Sequence, residues 1–63
     1  MILRRVTDLT VIDNVRLEDG KLWNVESVTP APGLFPRLMV RLSRTAGDKK
    51  VLELFPDDLI LLA

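Results

Sequence analysis

Asn14-Val15-Arg16-Leu17-Glu18-Asp19-Gly20-Lys21-Leu22-Trp23-Asn24-Val25 is the stretch whose reading decides the fold. Val15 and Leu17 alternate with Asn14, Arg16 and Glu18, the period of two that marks a strand with one buried face. Asp19-Gly20 then supplies a pair suited to positive φ, which a two-residue hairpin turn demands. Trp23 and Val25 resume the alternation on the returning strand. The segment reads as a β-hairpin. Val28 falls out of phase with Val25, which predicts a bulge near Glu26-Ser27. A bulge there helps a small sheet curl.

A second unit follows the same logic. In Arg37-Leu38-Met39-Val40-Arg41-Leu42-Ser43-Arg44-Thr45, Leu38, Val40 and Leu42 share one face. The chain is expected to turn at Ala46-Gly47-Asp48 and return as Lys49 to Phe55, with Leu52 and Leu54 inward and Val51 and Phe55 on the opposite face. Pro56-Asp57-Asp58 reads as one tight or 3-10 turn before a closing strand at Leu59–Leu62. Leu3 to Val6 reads as an opening strand. No stretch holds a helical apolar stripe over ten or more residues. The expectation is an all-β domain spanning residues 1–63, a small barrel of five or six short antiparallel strands.

The order of signals resembles the SH3-like small barrels, many of whose bacterial and phage members begin with a Leu-x-x-Gly-Asp-x-Val turn and strand. Leu9, Asp13, Val15, Asp19, Gly20, Trp23 and Val25 carry the resemblance, and Ile12 stands where the pattern usually has Gly. It implies a fold class and no catalytic residue, since fold alone does not fix function.

Composition bounds the chemistry. The 63 residues include nine Lys or Arg, nine Asp or Glu, and no Cys, His or Tyr. A domain this small has marginal stability, yet without Cys it has no disulfide, and without Cys and His it has no ordinary structural zinc site. No cofactor is implied. The commonest general base and the thiol nucleophile are missing, and Ser27, Ser43 and the four Thr residues have no spaced activating group, so the reading is non-enzymatic. Asp57-Asp58 reads as a turn, and a cation site joining them to Asp13 lacks any loop signature. The longest aliphatic run, Leu59-Ile60-Leu61-Leu62, is far too short to cross a bilayer as a helix. No signal peptide is expected. The default is a cytoplasmic protein with no membrane association, suited to a small phage or bacterial accessory role, in the host cytoplasm if phage-encoded.

Binding is therefore the class of function left. A neutral chain argues against a dedicated duplex-DNA binder, but Arg37, Arg41, Arg44, Lys49 and Lys50 form a candidate nucleic-acid patch, set against the ordinary reading of solvated edge charges. Trp23 reads as core packing, with a ligand-groove aromatic as the alternative. In Thr29-Pro30-Ala31-Pro32-Gly33-Leu34-Phe35-Pro36, three prolines stiffen the backbone and Leu34-Phe35 is unusually apolar. Either this pair caps the barrel, or, with Met39, it anchors a protein partner or another copy. The inward set Val15, Leu17, Trp23, Val25, Leu38, Val40, Leu42, Leu52 and Leu54 fills one small core. Ile2, Met39, Val51, Phe55 and part of Leu59–Leu62 are left over, which predicts a homo-oligomer.

Overall fold

The computed structural model describes residues 2–63 and is all-β: β1 (Ile2–Arg5), β2 (Asn14–Arg16), β3 (Leu22–Pro30), β4 (Leu38–Ser43), β5 (Lys49–Leu54) and β6 (Leu59–Leu62). These strands make one antiparallel sheet in the order β1-β6-β2-β3-β4-β5. The expected barrel is a curled sheet that stays open, with β1 and β5 at its two ends and unpaired with each other. Backbone bonds from Val6 N–H to the Asp58 carbonyl (2.8 Å) and from Thr7 N–H to the Pro56 carbonyl (3.1 Å) tie the segment after β1 to the β5–β6 turn.

The first hairpin stands where the alternation puts it, but its turn is longer than Asp19-Gly20 suggested. Val15 lies opposite Trp23 and Arg16 opposite Leu22. Leu17 N–H donates to the Lys21 carbonyl (3.2 Å) and Gly20 N–H to that of Leu17 (2.9 Å), so the loop is the three residues Glu18-Asp19-Gly20. Gly20 alone takes positive φ, at 77°, as the residue after a type I turn does in three-residue hairpins. A two-residue loop sets Val15 opposite Asn24, mixing a buried with an exposed side chain on one face. Burial decides the register. The second hairpin repeats the device one residue earlier than expected: Arg44 N–H donates to Asp48 and Gly47 N–H to Arg44, around Thr45-Ala46-Gly47.

The bulge falls where Val28 placed it, between Val25 and Ser27. It returns Val28 to the inner face, opposite Val40. β3 pairs with β2 over Leu22–Asn24 along one edge and with β4 over Asn24–Pro30 along the other.

The core comprises Val6, Leu9, Val15, Trp23, Val25, Val40, Leu42 and Ile60. Leu17, Leu38, Leu52 and Leu54, expected inside, are half-buried against it. Val6 and Leu9 belong to a part of the chain the alternation misses. β1 ends at Arg5, and Val6–Asp8 is the one 3-10 turn, whereas Pro56–Asp58 is a tight turn closed by Asp58 N–H on the Phe55 carbonyl. Side chains three apart eclipse on a 3-10 turn, which brings Val6 and Leu9 onto the same side.

Two carboxylates close turns by the same means. Asp13 accepts the Thr10 N–H (2.9 Å) and Asp58 the Phe55 N–H (2.9 Å). The Thr10–Asp13 turn needs no glycine at Ile12, since no non-glycine residue among those described takes positive φ. Asp13 also accepts Arg4 Nη1 at 2.9 Å, and its side chain is only 12% exposed. The Thr10 N–H first, and Arg4 after it, hold the Asp13 carboxyl below its ordinary value of 3.8 against the opposing effect of burial. A lowered folded pKa contributes stability that is complete above the ordinary value and is lost as pH falls through the lowered one. Asp13→Asn should therefore cost about 1 kcal/mol at neutral pH. That difference from the parent should shrink in denaturant titrations run below about pH 4. A constant difference down to the acid limit would remove Asp13 from the account.

Candidate functional site

The loop between β3 and β4 is closed at its base by Ala31 N–H on the Arg37 carbonyl at 2.9 Å. Its tip does not return to the core. Leu34 is 99% exposed and Phe35 66% exposed, so the capping alternative is set aside. Met39 is half-buried and lies on the outer face of β4, opposite Thr29 and Glu53. The outer face continues through Val51, opposite Arg41, and reaches Phe55, whose ring lies 5.7 Å from the Arg37 guanidinium.

The five basic residues do not form one patch. Arg41 and Lys49 lie opposite Val51 and Ser43 on the outer face, whereas Lys50 lies opposite buried Leu42. Lys50 and Arg44 are instead drawn over the Trp23 ring, at 5.2 and 5.6 Å. Four of the five have a close partner: Arg37 with Glu53 (3.4 Å), Arg44 with Asp48 (2.7 Å), Lys49 with Glu26 (3.5 Å), and Lys50 with the Trp23 ring.

Trp23 is 5% exposed and belongs to the core, as its packing reading expected. Its indole N–H is buried with no hydrogen-bond partner among the described residues. The Asp19 carboxylate is near enough for the indole N–H to help lower its pKa, but the two do not meet hydrogen-bond geometry. Asp19 accepts the Lys21 N–H at 2.9 Å. That bond first holds its carboxyl below the usual range, opposed next by desolvation and aided after that by the charge of Lys50. Leu17, Glu18, Asp19, Lys50 and Leu52 line an open cleft of about 250 Å³ beside the hairpin turn. Asp13 and Asp19 are both shifted towards the ionised form, the wrong direction for a general acid at neutral pH. Asp57, Asp58 and Asp13 serve separate ends: Asp13 and Asp58 close their own turns, and Asp57 faces Arg5 at 4.0 Å.

Sequence reasoning did not single out two features. Val11 and Ile12 stand exposed at the tip of the Thr10–Asp13 turn. Among the described residues the sheet also ends on two unpaired edges, of which β5 is the longer. Strand order sets edges, and a single strand's alternation carries no trace of it. Compared with known proteins, the chain matches no family model, no curated protein and no solved structure.

Proposed function

We propose that this chain is a non-enzymatic protein-interaction module that associates with another copy of itself or with a partner protein. The observation carrying this reading is the projection of Leu34 and Phe35 from a proline-stiffened loop. Prolines lower the entropy lost when a loop is fixed in a complex. An exposed aromatic on such a loop is the kind of anchor that fills a partner's pocket. Ile2, Leu3, Val51, Phe55 and Leu59 add further exposed apolar surface. Zero net charge leaves little long-range repulsion between copies. Nucleic-acid binding has less support, because its basic residues are divided between the two faces of the sheet. The likeness in layout to SH3-like barrels is compatible with a binding role and assigns no ligand.

Phe35→Ala provides the test. An exposed ring contributes little to folding, so the variant should melt within about 0.5 kcal/mol of the parent. Its association, followed by sedimentation over an about hundredfold dilution, should weaken by about tenfold. A loss of several kcal/mol of stability would instead return Phe35 to the core. A mass fixed near 7.1 kDa for the parent chain at every concentration would end the self-association part of the reading.

A further inference from the structure

Building on the self-association part of that reading, we propose that the free edge of β5 pairs antiparallel with the same edge of a second copy, about a two-fold axis through Val51. The backbone pattern comes first. Arg44 N–H donates to the Asp48 carbonyl, which makes 44 and 48 a hydrogen-bonded pair. Such pairs alternate along an antiparallel ladder, and the β4–β5 register runs without a break from Ser43–Lys49 to Leu38–Leu54. Lys50, Leu52 and Leu54 therefore direct their backbone groups to β4. Lys49, Val51 and Glu53 direct theirs to the open edge. A two-fold through Val51 sets each of these N–H groups against a carbonyl of the partner: Val51 against the partner's Val51, and Lys49 against the partner's Glu53.

The side chains select that register from its neighbours. Centring the axis on Lys49, Lys50 or Glu53 places like charges face to face, which destabilises an antiparallel pair. Centring it on Leu52 leaves Lys49 and Lys50 opposite apolar residues. Only Val51 sets each Lys49 opposite a Glu53 on the outer face, with two valines between the two ion pairs. The same register puts Phe55 opposite the partner's Gly47, where the absence of a side chain leaves room for the ring. β1 has no comparable arrangement, because its charged side chains, Arg4 and Arg5, are both cations.

Lysine on the inner face of an edge strand is a common guard against such pairing. Here Lys50 does not occupy the edge: its ammonium is held 5.2 Å from the centre of the Trp23 ring. Val51, by contrast, is 56% exposed and lies outside the core cluster.

Charge reversal tests the register. Lys49→Glu and Glu53→Lys should each weaken self-association of the parent by about tenfold, since each turns both cross-strand ion pairs into repulsions. Mixed in equal amounts, the two variants should recover parental affinity, because one strand is then doubly acidic and the other doubly basic. Circular dichroism should show both folded, as the ion pairs they break within the chain are exposed. Val51→Pro gives a second reading: it deletes a donor aimed at the open edge, a position an edge strand tolerates, and should abolish pairing in a folded chain. Val51→Lys should do the same by repulsion across the axis. If both charge reversals associate as the parent does, or their mixture is no tighter than either alone, the edge pairing is wrong. Association that survives these changes but is lost in Phe35→Ala would overturn the β5 interface and leave the module reading standing. A parent chain that stays near 7.1 kDa would overturn the edge pairing and self-association together.

Discussion

Trp23→Ala is expected to leave the chain largely unfolded at ambient temperature. The indole is 5% exposed, faces Val15 across the first hairpin, and joins the single core cluster. Removing so large a buried side chain costs about 3–5 kcal/mol through lost burial and the cavity left behind. The lost contacts with Arg44 and Lys50 add about 0.5–1 kcal/mol each at such partly exposed positions. Against this, a domain of 63 residues holds only about 3–9 kcal/mol in total. The loss is comparable with the whole stability. Because Trp23 is the one Trp and Tyr is absent, the measurement is circular dichroism in a denaturant titration rather than intrinsic fluorescence. Trp23→Phe is the informative companion. It keeps a ring in the core and removes the indole N–H, which is buried without a partner and costs about 1–3 kcal/mol in lost hydration. That variant should remain folded. A Trp23→Ala chain that melted like the parent would mean that the cluster closes without the indole.

The two hairpins and the bulge were legible because each leaves a period-two trace or a break in one, and the closing strand at Leu59–Leu62 was legible as a short apolar run after the Pro56-Asp57-Asp58 turn signal. Turn length was harder to read. Asp19-Gly20 suggests a two-residue turn, yet pairing Val15 with Trp23 on one buried face requires an odd loop, and burial outweighs a dipeptide preference. The same counting, carried from Leu42 to Arg44 and from Leu52 back to Lys50, puts both cations on the inner face. Their shared face was thus readable from the sequence, though a list of basic residues conceals it, whereas their gathering over Trp23 depends on how β3, β4 and β5 pair. Val6 and Leu9 escaped because a single 3-10 turn is too short to establish a period. The direction of Leu34 and Phe35 had no local signal. It depends on where Ala31 and Arg37 meet across the loop base, a contact between strands rather than a property of the loop's own residues.

Gly20→Val should destabilise the protein by about 2 kcal/mol through the backbone alone. Gly20 sits at φ 77°, and a Cβ built there meets nothing within 4 Å. Steric crowding with the rest of the molecule therefore plays no part. What remains is the local cost of the left-handed region, about 1–2 kcal/mol for an ordinary residue and more for a β-branched one. The position cannot relax cheaply. Gly20 N–H closes the turn on the Leu17 carbonyl, and its own carbonyl accepts Arg16 Nη1 at 2.7 Å. Shifting φ to negative values breaks the turn and, with it, the register that buries Val15 against Trp23. Asn tolerates this region better than other residues with side chains. Gly20→Asn should therefore retain most of the stability that Gly20→Val loses, although the two side chains meet the same open space. That difference isolates φ as the cause. Equal melting temperatures for the two variants would show that the loop accommodates a side chain by another conformation, and the three-residue turn would lose its role in fixing the hairpin.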